Sequence, residues 1–422
     1  MNRFVRQAAM AALLASAASA ATVIVLEPLY AAPAPRGRAA APAKADASTQ
    51  VRTAVGNPIN DSLKLIDTGD LAGALAKVAI ADAVPMKTPF EEYTVAKFLG
   101  TIYMKQMPPN LAAAAVAYNR QIASGAAPDA EKPGMYGTAL RLNYNANDFA
   151  KVIQNVTELQ KVAALDDTAW EVLVQSYVST MDYKNAITSA KAAVAAETAG
   201  GMKANPVVLG LLLNSQAKTA DEAGYRLTLD QLASVSTQPE VWSQIMDFAL
   251  ATKDIGDHHL LNLYRLAMLV GTIRTDVDDY GNMATIDLTN GLPAEAKAVL
   301  AKRNKTDDLL NQANAMLAKD QETLVALAAE AAKQMNGEID VKLGESYWTY
   351  GKFNEAVDAI QKGIAKGGLK DMADAQTTLG IALFSAGKKA EALAAFQKAA
   401  MSNTPAGPIA HTWALFLQRP AA

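Results

Sequence analysis

Along most of this chain apolar residues recur at spacings of three and four, the period of a helix that buries one face. Ile409, Trp413 and Leu417 near the C-terminus are the plainest case, an i, i+4, i+8 stripe that predicts one amphipathic helix ahead of Pro420. Pro405 to Pro408 is a breaker cluster, and Pro408 suits a first helical position. Thr68-Gly69-Asp70, Gly351 and Gly387 interrupt the pattern elsewhere, as turns between paired helices would.

The pattern also repeats. Leu343-Gly344 leads to Tyr347, Gly351, Ala356, Ile360 and Gly363, and 36 residues later Leu379-Gly380 leads to Leu383, Gly387, Ala392, Phe396 and Ala399. Trp170, Leu173, Tyr177, Tyr183, Ala186, Ala190 and Ala193 hold the same offsets upstream. Carried backwards, the Leu-Gly position falls on Leu99-Gly100, Tyr136-Gly137, Leu173-Val174, Leu209-Gly210, Ile245-Met246 and Met283-Ala284, at intervals of 37, 37, 36, 36 and 38. A further step back reaches Asp61-Ser62. The gap of 60 between Met283 and Leu343 fits one shortened unit over Asp308 to Lys333. A period of this length is the mark of a stacked repeat array.

These units resemble the tetratricopeptide repeat. In that scheme Leu and Tyr pack inward on a first helix, and the Gly or small residue beside Leu lets a second helix approach. The Ala of the second helix sits at the closest contact, and the mid-unit Gly closes the turn. The resemblance implies an all-α fold, helix hairpins stacked into an α-solenoid over residues 56–400, about ten pairs and degenerate in the middle. Most intervals exceed the family's 34, so turns or helices are slightly lengthened. Residues 401–422 are expected to form a capping helix, which stacked arrays need for solubility.

The resemblance also implies a concave groove lined by first helices and open to a peptide or a partner helix. The position after the Tyr site holds Val178, Leu288, Trp348 and Phe384 in the four clearest units. Two readings compete for these apolar residues, groove lining and packing against the next repeat. In the groove reading Trp348 and Phe384 take apolar partner side chains, with Glu338, Glu345 and Asp374 as acidic surroundings. The family's clamp for free C-terminal carboxylates wants Lys and Asn. The corresponding positions hold Glu171, Gly281, Val341 and Thr377, and Gln175, Thr285, Glu345 and Ile381, so that clamp is absent.

Composition supports the helical reading. Of the 422 residues 51% are hydrophobic but only 6% aromatic. Alanine makes up the difference, and it has the highest helix propensity. A net charge of −3 without a basic stripe weighs against a nucleic-acid partner. Zero cysteines exclude disulfides, thiolate catalysis, Cys-ligated metal and lipid attachment through an N-terminal Cys.

The N-terminus reads as a secretory signal over residues 1–31. Arg3 and Arg6 precede an uncharged stretch from Ala8 to Leu26, and small residues suited to cleavage lie at Ala18-Ser19-Ala20 and up to Ala31. An uncleaved inner-membrane anchor is the alternative, although the stretch is mostly Ala and Ser. Residues 32–55 then form an Ala/Pro-rich linker, expected to be disordered. Export without cysteine points to a bacterial envelope, periplasmic or secreted. Three N-x-S/T triplets at Asn60, Asn155 and Asn304 leave a eukaryotic route open.

Candidate chemistry is sparse. Adjacent helical residues point about 100° apart, so His258 and His259 do not easily share one ion, and a solvated helix start is expected there. His411 is expected to pack beside Trp413. Asp276-Val277-Asp278-Asp279-Tyr280-Gly281 opens like a calcium loop but carries Tyr280 at its fifth position and Asp287 at its twelfth. Acidic residues before a helix are the simpler reading. Ser385 with Lys388, and Ser215 with Lys218, match S-x-x-K, yet no S-D-N or K-T-G completes that constellation. The sequence therefore predicts a non-catalytic interaction scaffold of the cell envelope, with no cofactor, metal or nucleic acid. The alternative is an enzyme, or an enzyme's regulatory subunit, with a site in the irregular region 202–279.

Overall fold

A computed structural model describes residues 49–303 and 308–419. The signal or anchor reading and most of the linker fall outside them. Among the described residues there is no strand, and no helix is long and apolar enough to cross a membrane. Contacts divide these residues into two units, 49–225 and 226–419.

The first unit is a run of hairpins: α1 (Thr53–Asp67) with α2 (Leu71–Asp82), α3 (Pro89–Lys105) with α4 (Leu111–Ala123), α5 (Lys132–Asn145) with α6 (Phe149–Leu159), and α7 (Asp167–Ser179) with α8 (Tyr183–Ala199). Then come α9 (Pro206–Lys218) and α10 (Glu222–Val235), within which the division falls. The second unit holds α11 (Pro239–Leu250), α12 (Asp257–Val270), α13 (Asp279–Asn290), α14 (Pro293–Leu300), α15 (Asp308–Lys333), α16 (Glu338–Thr349), α17 (Phe353–Lys366), α18 (Met372–Ser385), α19 (Lys389–Ala400) and α20 (Ala406–Gln418).

One turn recurs through both units. Gly69, Asn147, Met181, Ala220, Gly291, Gly351 and Gly387 take φ between 56° and 82°, which reverses the chain and releases the next helix one residue later. In the first unit that next residue is an aspartate at Asp70, Asp148, Asp182 and Asp221. Each accepts the N–H three positions on at 2.9–3.2 Å, which satisfies an orphan donor of the second helix.

The small residues do what the repeat demands. A Cβ on Gly344 would lie 2.5 Å from Ile360 Cγ1 and 2.8 Å from the Ala356 carbonyl, and one on Gly380 would lie 2.5 Å from the Phe396 ring. Ala186, Ala190, Ala193, Ala356 and Ala392 are fully buried between paired helices. The fold is all-α and tetratricopeptide-like.

Two stretches differ from the sequence reading. Asp308 to Lys333, expected to be a shortened pair, is one helix of 26 residues. It contains no Gly or Pro, so nothing in it turns the chain. Residues 202–279 are not irregular but carry α9 to α12. Leu209-Gly210 keeps the anchor pair on α9, but the next anchor position, on α11, holds Ile245-Met246.

Candidate functional site

The second unit closes on itself. Helix α12 packs against α18 and α20, more than 100 residues further along the chain, and α20 also packs against α11, α18 and α19. Helix α20 is buried on nearly every side, from Ile409 and Ala410 through Thr412 to Leu417. Trp413 stacks on Phe396 with centroids 5.3 Å apart and an interplanar angle of 16°. Phe384 meets Trp413 and Phe416 edge-on, and Phe416 in turn meets Trp242. The apolar stripe of the sequence reading is real, but α20 fills an interior rather than only sealing an end.

Beside this aromatic cluster lies a group of charges that sequence reasoning did not assemble. Arg265, on α12, is 4% exposed. Its Nε donates to Glu295 at 2.9 Å, its Nη1 donates to Glu345 at 2.7 Å and to Asn262 at 2.9 Å, and its guanidinium lies 4.7 Å from the Trp348 ring centre. Four of five guanidinium donors are thereby used, counting a second bond to Glu295, and a buried cation needs that many partners. His258, one helical face along, sits between two carboxylates, with Nε2 2.9 Å from Glu345 and Nδ1 2.7 Å from Asp374. Only the imidazolium carries a proton on both nitrogens; Nε2 bonds Glu345, and Nδ1 meets Asp374 as an ion pair without hydrogen-bond alignment. Those carboxylates hold His258 well above its ordinary value against the opposing effect of burial. Burial alone would push Glu345 up, but His258 and Arg265 hold it well below the carboxylate range.

Asp287 completes the cluster in the opposite sense. It is fully buried, and no donor reaches either carboxyl oxygen. Burial and the neighbouring Glu295 push it up to about 9, only partly opposed by Arg265. Burial without a donor favours the neutral form of Asp287, and two cations favour the ionised form of Glu345, so their surroundings rather than residue type set them apart.

The sequence-predicted residues are distributed as follows. Trp348, half-buried, donates from Nε1 to Ser385 Oγ at 2.8 Å as well as lying beneath Arg265. Phe384, half-buried, faces α20, and Glu345 is inside the charge cluster. These three come together. Leu288 is buried with Ala284, Ala296, Leu300 and Ala313 in a separate part of the unit. Val178 belongs to the first unit, packed on the cluster of Val174, Ala190 and Leu211. Of the acidic surroundings, Asp374 meets His258, and Glu338 accepts from the Lys370 amide.

The histidines are engaged rather than solvated. Asp257-His258-His259 does start a helix, but His258 is drawn into the charge cluster. His411 pairs with Asp230 at 2.8 Å instead of with Trp413. Asp278 caps α13 by accepting the Gly281 amide, and Asp279 pairs with Arg274, as acidic residues at a helix start should. The signal for the charge cluster was present in Leu260 to Val270, where Arg265 is the single ionised residue in an apolar helix and so demands a buried counter-ion.

The first unit offers a different surface. Between α2, α3 and α4 lies an open groove of about 610 Å³, lined by Leu75, Ala76, Ala79, Leu99, Tyr103 and Val116, among others. At one end Arg120 Nη2 bridges Asp82 and Glu92, at 2.7 Å each. The rim charges are thus neutralised within the chain, and the trough is apolar.

No known protein family matches the chain, and no curated protein matches it. Among solved structures it is similar to a tetratricopeptide repeat protein from Parabacteroides merdae, at 13% identity and a TM-score of 0.26, covering 87% of this chain and 99% of that one.

Proposed function

We propose that this chain is a non-catalytic protein-interaction scaffold of the bacterial cell envelope, and that it takes an apolar helical segment of a partner protein in the groove of its first unit. The observation that carries this reading is the contrast between the two units. In the second, Trp348 and Phe384 are engaged by the chain's own Arg265 and α20, and Arg265, Asp287, Glu295 and Glu345 are buried. In the first, the α2–α3–α4 trough is apolar, open and floored by alanines, which leave room for a helix backbone to approach. Val116 stands on its wall, 62% exposed.

Trp348 and Phe384 are assigned in this reading to holding the second unit together, with Val178 and Leu288 doing the same within their own hairpins. The test is a photo-crosslinking residue at Val116 in the full chain, expressed in its native cells, with the still more exposed Val325 as a control. A discrete protein adduct at 116 that is absent at 325 is the expected result. No position-specific adduct would remove the groove from the account.

A further inference from the structure

We propose that the second unit is a proton-held clamp: α12 is tied to α16 and α18 by a proton on His258, and Asp287, buried on α13 with no donor, stays packed as the neutral acid, so that the unit loosens when both protons are removed in alkali.

The geometry makes both protons necessary. His258 lies between carboxylates on two other helices, 2.9 Å from Glu345 on α16 and 2.7 Å from Asp374 on α18. Remove its proton, and one of those contacts becomes a lone pair facing a carboxylate. Asp287 is fully buried with no donor at either oxygen, so its charged form would have nothing to compensate it. Glu295, on α14, takes two bonds from Arg265, so that guanidinium is committed there rather than to Asp287.

The surroundings offer no substitute cation. Arg265 faces Asp287 but is committed to Glu295 and Glu345. Beside His258, its neighbour His259 lies 3.6 Å from Asp371 and 3.9 Å from Asp374. The packed helices α15 and α20 turn their titratable groups elsewhere, Asp320 to Tyr350 and His411 to Asp230. Charge therefore accumulates inside the cluster as protons leave, on helices far apart in sequence.

The sign is the same for both groups. Each holds its proton more tightly folded than unfolded, so each favours the folded state at low pH and loses that contribution as pH rises through its folded value. For Asp287 the loss runs from its ordinary 3.8 up to about 9, and for His258 it begins above 6.5.

The experiment is hydrogen exchange on the full chain at pH 6 and pH 10, corrected for intrinsic rate, reading residues 257–270 and 372–385 against the first unit as internal control. Protection in those two segments is expected to fall at least tenfold more than in residues 53–123. Asp287→Asn, which stays neutral at both pH values, is expected to lessen that fall. Equal loss in both units, or a loss in Asp287→Asn equal to that of the parent chain, would overturn the proposal. Should that variant not fold, carboxyl carbon shifts of the parent chain decide, because an ionised Asp287 at pH 7 would equally contradict it.

Discussion

The Trp413 indole N–H donates to the backbone carbonyl of Asn262 at 3.0 Å, across 151 residues of sequence. That bond joins the last helix to α12, near the start of the second unit, and Asn262 also supports Arg265 from its side chain. One residue thus links the aromatic cluster to the charge cluster, and the tail is part of the core of its unit.

Removing that tail should therefore cost more than trimming a cap. Trp413→Ala deletes a fully buried indole, for which ~3–5 kcal/mol is the usual loss. Calorimetry should show the transition of the second unit lowered, with that of the first in place. Truncation at residue 405 should abolish the second transition.

Arg265 is the next most sensitive position. Arg265→Met leaves Glu295 and Glu345 buried without their cation, and breaking such a group typically costs ~3–5 kcal/mol. A chemical-denaturation midpoint for the second unit reads this out. Adding Glu295→Gln to Arg265→Met should recover part of the loss, since it removes one of the stranded charges.

Helix contact at the repeat glycines predicts a steric cost. Gly344→Val would press a branched side chain against the Ala356 carbonyl and Ile360, and overpacking of this kind costs ~1–3 kcal/mol or more. Gly134→Ala, where a Cβ meets nothing, should be neutral or slightly stabilising in the same denaturation assay.

The first unit should respond to acid. Glu91 is buried and accepts from the Arg52 side chain and from the amides of Arg52 and Thr88, which hold it down at about 2. A depressed carboxyl contributes stability above its ordinary 4.5 and loses it as pH falls toward about 2. Exchange protection in residues 53–105 should fall across that window. In Arg52→Met the same segment should start lower and change less.

The repeat was legible because its signals are local. A glycine with positive φ, an aspartate after it and an alanine where helices touch each act within one hairpin, so Gly351, Gly387, Asp182 and Ala190 could be read from spacing alone. The long α15 was legible in principle too, from its lack of breakers. The closure of the second unit was not, because the lone Arg265 of an apolar helix calls for a counter-ion but nothing local picks out Glu295 or Glu345 until α12, α14 and α16 are brought together. The same holds for Trp348 and Phe384. Phe384 lies against the chain's own α20, and Trp348 lies beneath Arg265 of α12 and donates to Ser385, neighbours that no periodicity reveals.

The central claim is that a partner is held by the groove of the first unit. The most direct measurement is the affinity of the crosslinked partner for the full chain carrying Val116→Glu, set beside its melting temperature. A charge placed on the apolar wall should weaken binding by tenfold or more, about 1.4 kcal/mol, with the melting temperature unchanged. Unchanged affinity in Val116→Glu, together with loss of binding in Trp348→Ala at an undiminished melting temperature, would contradict the account and place the partner on the second unit.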